Sequence, residues 1–412
     1  MSRFYLAALA LAALFATPAM AAVDRPATEA AFRQWLATEI RPAARARGIK
    51  RATFTSALGR LTLDWTLPDL RPPGAPKTAP AKQSQAEFRG AGAYFSPSNL
   101  ATLTTIGRSK LKTWADTLTR IEAAYGVPRR IIVAIWGRET AFGAARLPKS
   151  GLRTIATQAF MGRRKALFTG ELLAALEMIQ NGHITPAEMK SSWAGALGQP
   201  QFLPSKFLAH AVDFDGDGKA DIWRSVPDTL ASIAKYLADF GWAKGRDWGF
   251  EAKIPRKLPC TLGGPEQGRA IAGWLALGAA RVAGRIFSEA QKPRTGFLLM
   301  PAGHYGPAFI VTENFYVLKA YNESDLYALF IGHLADRMAG GGPFVNSWRK
   351  TGSFSRRDVS LMQKALERQG HDVGGADGLI GFKTRIAVGK WQAEQARPVT
   401  CFPDAQMAKG LR

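Results

Sequence analysis

Apolar residues recur at helical spacing along much of this chain. Phe32, Trp35, Leu36 and Ile40 step by three and four, which predicts helix over residues 28–59. Residues 68–80 carry so many prolines that neither helix nor central strand can form there. Helical patterning resumes over 102–124, breaks at Gly126-Val127-Pro128, and restarts with Pro128 suited to a first turn. Further helices are expected at 166–180, 185–191 and 226–240. Residues 250–310 are rich in Gly and Pro with short apolar runs at 296–300 and 308–311, and read as a small strand-containing subdomain. Gly340-Gly341-Gly342-Pro343 marks a boundary. Beyond it a compact block begins near Ser353, with Leu361, Ala365 and Leu366 as a helical core stripe.

The first residues bear on where the chain works. Arg3 precedes an apolar run over 4–15, and Ala19-Met20-Ala21 supplies a small-x-small cleavage pattern, so residues 1–21 read as a secretory signal peptide. The run is shorter than the roughly 20 residues a membrane helix needs. No cysteine stands near the cleavage point, so no lipid anchor is expected. Lys and Arg total 55 against 32 acids, a net charge of +23, which calls for an anionic partner. Export and the lack of a dense Lys/Arg run disfavour nucleic acid and leave an anionic membrane surface or an anionic polymer such as a cell wall. The block 353–412 holds ten basic and six acidic residues, so most of the positive charge belongs to the larger part of the chain. Cys260 and Cys401 are the two cysteines; an exported chain can pair them only if their Cα atoms come within about 7 Å, and the sequence leaves that open.

Three segments could carry chemistry. In the helix ending Trp136-Gly137-Arg138-Glu139-Thr140-Ala141-Phe142-Gly143, Ile132, Ile135 and Glu139 share a face. A carboxyl ending an apolar stripe is desolvated and holds its proton, as a general acid must. A capping or ion-paired glutamate beside Arg138 fits the same pattern. The segment Ser191-Ser192-Trp193-Ala194-Gly195-Ala196-Leu197-Gly198-Gln199-Pro200-Gln201-Phe202 combines small residues with Ser192, Gln199 and Gln201; it can approach a ligand closely or simply be a polar turn. The segment starting at Asp213 places Asp213, Asp215 and Asp217 at loop positions one, three and five, Gly218 at six and Asp221 at nine, as in a calcium loop. Arg224 stands where the bidentate Glu belongs, and Asp228 is the nearest later acid. An Asp/Gly turn held by its own backbone is the alternative.

The order and spacing of these segments resemble the lytic murein transglycosylase B family, and the resemblance runs on through the Pro227–Leu237 helix motif, Gly241-Trp242 and Tyr321-Asn322-x-Ser324-x-x-Tyr327. It covers about residues 28–343. It implies a mainly α (α+β) fold: a lysozyme-like catalytic domain over 22–343 with the strand-containing subdomain, a linker at 344–352, and a C-terminal three-helix module over 353–412. It implies Glu139 as the single catalytic acid/base. Ser192, Gln201, Tyr236, Tyr321, Asn322 and Tyr327 would line the sugar site. One departure is Met161-Gly162-Arg163-Arg164, where some relatives carry a tyrosine able to stack on sugar.

The C-terminal block resembles a peptidoglycan-binding domain, expected to target the wall without touching the chemical step. A disulfide between Cys260 and Cys401 would argue instead that it completes the catalytic part. Together with the signal peptide and the lack of a cysteine beside it, the resemblance leads to the expectation of a periplasmic, monomeric enzyme with no membrane anchor. It would cut the MurNAc–GlcNAc β-1,4 bond of peptidoglycan glycan strands without water, leaving 1,6-anhydroMurNAc ends. No cofactor is required for that chemistry. A structural Ca2+ is expected on Asp213, Asp215, Asp217, the Lys219 carbonyl and Asp228. A hydrolytic muramidase with a second carboxylate, and a noncatalytic wall-binding protein, stand as alternatives.

Overall fold

The computed structural model describes residues 23–68, 70–74, 91–352 and 354–411. The anticipated signal peptide and most of the Pro-rich stretch lie outside the described residues.

The helix Arg129–Thr140 is the centre of the larger domain. Every residue over 131–137 is buried, so the helix is apolar all round and not only along the stripe of Ile132 and Ile135. Its β-branched residues are weak helix formers, and tertiary packing overrides that preference. It is enclosed by the helices Asp325–Met338, Pro97–Thr113, Ala115–Tyr125 and Val226–Asp239. Pro128 lies one residue earlier than expected, at the N-cap with extended ψ, because it cannot donate into the first turn.

Helix over 28–59 is present but broken. Arg25–Trp35 runs into a π-helical stretch, Leu36–Ile40, before Arg41–Ala46 and Arg51–Leu58. Pro42 in the first turn of Arg41–Ala46 offers no N–H to the preceding turn, and the backbone widens there to accommodate it. The helix expected at 185–191 does not form. Thr185 bonds Glu188 through side chain and backbone, which favours a turn, and Lys190–Ser191 pairs antiparallel with Lys149–Ser150. Helices Lys165–Gln180 and Val226–Asp239 fall where the pattern put them.

The strand-containing subdomain is a five-stranded antiparallel sheet. Its spatial order is Arg269–Ala270, Thr295–Leu299, Ala308–Val311, Gly249–Lys253 and Ala280–Arg281. Ala308–Val311 is the middle strand and all of its residues are buried, as a strand covered on both faces requires. One face packs with Trp274, Phe287 and Leu298; Phe309 and Val311 join the core of the helical domain.

The C-terminal module has three helices, Arg356–Arg368, Phe382–Glu394 and Ala405–Gly410, around Met362, Leu366, Val388 and Trp391. Met362 is buried where Leu361 was expected to lead the stripe, because the first helix starts in a capping box of Ser355 and Asp358 that sets its phase. The module is fastened to the rest of the chain at several places. Cys260 and Cys401 form a disulfide with Cα atoms 6.0 Å apart, inside the sheet's own core. Arg385 bonds Asp325 at 2.7 Å. The segment joining the module to the catalytic part is also held. Phe344 stacks on His333 at 3.8 Å, Trp348 stacks on Phe95 at 5.3 Å, and the Glu251 carboxylate accepts the backbone N–H groups of Val345 and Asn346.

The disulfide closes a span of 141 residues, so replacing both cysteines by serine should lower folding stability by roughly 2–4 kcal/mol. A denaturant titration of parent and double variant checks this; equal midpoints would mean that the packing alone holds the module.

Candidate active site

Glu139 comes one residue before the last of the Arg129–Thr140 helix, and the way that helix stops decides what surrounds the carboxyl. Ala141, Phe142 and Gly143 all take positive φ, so the chain reverses within a turn and folds the Phe142 ring back beneath the helix. A Cβ on Gly137 would lie 2.6 Å from that ring, which is why glycine is needed there. Phe142 meets Trp136 edge to face at 5.6 Å.

Gln199 ties this turn to the second segment. Its side-chain oxygen accepts the Trp136 indole N–H at 2.8 Å, its backbone carbonyl accepts the Thr140 hydroxyl at 2.9 Å, and its amide donates to the Trp223 carbonyl. Its backbone N–H donates to Ile222. One buried amide thus connects all three segments singled out in the sequence. Gly198 beside it has φ 61°, and a Cβ there would collide with Ile222 at 2.7 Å. Gln201 also adopts left-handed backbone, φ 55°, with its side chain donating to the Gly198 carbonyl at 2.9 Å. Such a conformation in a non-glycine residue is held only by its surroundings.

Glu139 is half-buried as a residue, and its carboxyl, turned inward, accepts a hydrogen bond of 2.5 Å from the Tyr327 hydroxyl. Desolvation raises its pKa from 4.5 to about 7, against the opposing pull of Tyr327 and of Arg138. Arg138 itself is spread over the rings of Tyr94 and Phe330, at 4.7 and 4.9 Å. A group that is half protonated near neutrality can both give and take a proton.

The anticipated sugar-site residues divide into two sets. Glu139, Asn322 and Tyr327 line a cavity of about 1560 Å³. Ser192, Gln201, Tyr236 and Tyr321 are not part of its lining. Tyr236 is buried and its hydroxyl donates to the Ala320 carbonyl at 2.6 Å; Tyr321 donates to the Pro200 carbonyl at 2.6 Å. Both hydroxyl protons are therefore committed inside the protein. The two rings lie 4.8 Å apart, and Tyr321 continues the stack onto Tyr327, so they brace the tyrosine that reaches Glu139. The Ser192 hydroxyl accepts the Ala196 N–H, and Asn322 caps Ser324. Met161 is fully buried and a Cβ on Gly162 would meet Gln158, so the position lacking the stacking tyrosine faces inward.

In the acidic loop, Asp213, Asp215 and Asp217 are exposed and present carboxylate oxygens within 4.8 Å of one another. Asp228 is elsewhere. It is fully buried and accepts the N–H groups of Phe214, Asp215 and Asp221, with burial pushing its pKa up. The expected fifth ligand is thus the fastening of the loop to the helix Val226–Asp239. Hard oxygen donors at three exposed aspartates suit calcium.

Sequence reasoning missed Gln199 as the connector, and Lys319, Asp325 and Arg385 on the cavity wall. A glutamine in a turn carries no signal of its buried partners, and the ion-paired residues are 60 positions apart at their widest.

With this geometry the family is plain. The chain belongs to the family defined by the transglycosylase SLT domain, whose model matches residues 31–336. It is 32% identical over 232 residues to membrane-bound lytic murein transglycosylase B of Escherichia coli K12; the match takes in 55% of this chain and 61% of that relative, less than two thirds of its length. It superimposes on SltB3 of Pseudomonas aeruginosa with a TM-score of 0.80 and 35% identity, covering 92% of this chain and 99% of that one. SltB3 has been solved with NAG-anhNAM-pentapeptide and with NAG-NAM-pentapeptide. Slt35 of Escherichia coli, solved with calcium, shares the fold at 24% identity and a TM-score of 0.55, over 77% of this chain and 93% of that one. The lysozyme-like, mainly helical fold anticipated from the sequence agrees with these structures.

The raised pKa of Glu139 gives a signed expectation for stability. Below 4.5, its unfolded value, both states hold the proton; between 4.5 and about 7 the unfolded chain ionises while the fold keeps its proton, so stability falls across that window and levels off above it. Glu139→Gln should therefore match the parent near pH 4 and exceed it by about 1–3 kcal/mol near pH 8. Comparing the two proteins by denaturant titration at both pH values isolates Glu139 from the other buried acids; a pH-independent difference would contradict the raised pKa.

Proposed function

We propose that this chain cleaves the MurNAc–GlcNAc β-1,4 bond of peptidoglycan glycan strands without water, in the periplasm. The observation that carries the reading is a desolvated carboxyl with no cation bound to it among the described residues, Glu139, poised near pH 7 on the wall of a large cavity. Of the other acids lining that cavity, Asp325 is ion-paired to Lys319 and Arg385, Asp377 accepts the Leu379 N–H, and Glu323 is exposed. Asp325 is desolvated as well, but Lys319 and Arg385 occupy both of its oxygens and keep it ionised, so it is not free to act as the partner of Glu139, which favours one-carboxyl chemistry over a hydrolytic pair.

Glu139 protonates the glycosidic oxygen as the bond to the anomeric carbon breaks. Its carboxylate then removes the proton from the C6 hydroxyl of the same MurNAc, whose oxygen attacks that carbon and closes the 1,6-anhydro ring. The substrate's N-acetyl group stabilises the positive anomeric centre. Tyr327 orients the carboxyl throughout. No cofactor enters these steps. Export through a signal peptide at residues 1–21 fits this site of action, and no helix among the described residues is long and apolar enough to cross a membrane. The module over 353–412 is read as a peptidoglycan-binding domain that shares the cavity wall through residues such as Asp377 and Lys383. Calcium, held by Asp213, Asp215, Asp217 and the Lys219 carbonyl, would tie down the exposed side of the loop that Asp228 fastens from below.

Purified parent protein acting on sacculi should release products one water lighter than the hydrolytic muropeptides, read by mass spectrometry. Glu139→Gln should lose at least about a thousandfold in turnover while still binding sacculi, since the amide keeps the shape without the proton. Activity within tenfold of the parent, or reducing MurNAc ends, would refute the assignment.

Calcium should raise the melting temperature relative to chelator, because an ion that binds only the folded state stabilises it by mass action. Identical melting curves in the two conditions, or a rise that persists in Asp213→Asn/Asp215→Asn, would exclude a metal at this loop.

A further inference from the structure

The salt bridge between Arg385 and Asp325 crosses from the C-terminal module to the base of the catalytic centre. Arg385 projects from the helix Phe382–Glu394 and is 8% exposed. Its Nη2 lies 2.7 Å from Asp325 Oδ2, and its Nη1 donates to the Ile380 carbonyl of its own module. Lys319 donates to the other oxygen, Asp325 Oδ1, at 2.6 Å. Asp325 is the first residue of the helix Asp325–Met338; two positions later Tyr327 donates through its backbone N–H to the Ser324 hydroxyl that caps the helix and through its phenol to Glu139. Every link from Arg385 to Glu139 is thus a hydrogen bond or the first turn of a helix.

We infer that Arg385 is a positioning residue for the chemical step: by holding Asp325 it fixes the first turn of that helix, and with it the Tyr327 hydroxyl on the Glu139 carboxyl. The inference rests on the transglycosylase reading of Glu139. Asp325 is held well on the ionised side by its two cations, although burial opposes this, so the anchor persists across the working pH range. With the guanidinium removed, Lys319 from the preceding helix is the cation left on the aspartate among the described residues, and the ion pair from the C-terminal module is lost. A module that only carried the enzyme to the wall would need no such buried contact with the catalytic part. The disulfide at Cys260–Cys401 and the stacked segment 344–348 keep the module seated so that Arg385 can reach.

The consequence for Glu139 has a sign. The groups acting on its carboxyl are Arg138 from its own helix and Tyr327 from the helix Asp325–Met338, both favouring the anion; Tyr321, from the helix Glu313–Tyr321, and Tyr94 crowd Tyr327. Loosening Tyr327 removes a donor to the anion and leaves desolvation less opposed, so Glu139 keeps its proton to higher pH.

The test uses the full-length, oxidised protein on soluble glycan chains, after the parent has been shown to form anhydro products. Failure of that first step refutes the transglycosylase reading; the steps after it address Arg385 alone. Arg385→Ala should lower kcat about tenfold with KM within about twofold, and move the alkaline limb of the kcat–pH profile upward. Arg385→Lys should recover most of the loss. In a cycle with Tyr327→Phe, the double variant should be no slower than the worse single one, because both act through one bond. Should Arg385→Ala not fold, Arg385→Gln takes its place in the same cycle. Parent-like kcat, a change confined to KM, an unshifted profile, or losses that multiply in the cycle would each overturn the inference.

Discussion

Keeping a carboxyl out of water at the end of a buried helix is the constraint around which this molecule is arranged. Left to itself, Glu139 would favour a position in solvent, where its charge is stabilised. The helix that carries it is enclosed on all sides, so the carboxyl cannot retreat along the chain; it must be met by a donor from elsewhere. Tyr327 supplies that donor, and the stack of Tyr236 and Tyr321 behind it, with hydroxyls committed to Ala320 and Pro200, prevents the ring from turning away. The result is a carboxyl whose pKa is raised to about 7, where a group can both give and take a proton.

The same constraint explains the density of unusual backbone nearby. The left-handed turn at Ala141, Phe142 and Gly143 lets the chain leave Glu139 abruptly, and the left-handed Gln201 closes the neighbouring loop. Neither conformation is favourable locally. Both converge on Gln199, whose side chain and backbone satisfy polar groups from two other stretches of chain, the helix Arg129–Thr140 and the Ile222–Trp223 pair. A polar network of this kind rigidifies only when each member is satisfied, and here each arm of the amide has its partner.

The C-terminal module belongs to this arrangement. Its disulfide is buried in the core of the sheet subdomain, its entry segment is stacked on the aromatic cluster of the helical domain, and its buried arginine meets Asp325. The cavity beside Glu139 is walled by both parts of the chain. Expected as a tethered targeting unit, the module is built into the catalytic body.

Much of this could be read from the residues alone. The apolar periodicity located most helices, Gly and Pro marked the strand-containing region, and the segments around Glu139, Gln199 and Asp213 carried the family resemblance that the comparisons bear out. Local chemistry was legible because it depends on neighbours in sequence: an acid at the end of an apolar run, aspartates at alternate loop positions. What the fold alone decided were relations across distance. Asp228 looked like a metal ligand and is instead the buried acceptor for the loop's own amides. Tyr236 and Tyr321 looked like sugar contacts, yet their hydroxyls are bound internally. Whether Cys260 meets Cys401, and whether Arg385 meets Asp325, depends on where two parts of the chain, each with its own apolar core, come to rest against each other. No periodicity encodes that docking, because each side of the contact satisfies its own local pattern whether or not the other is present.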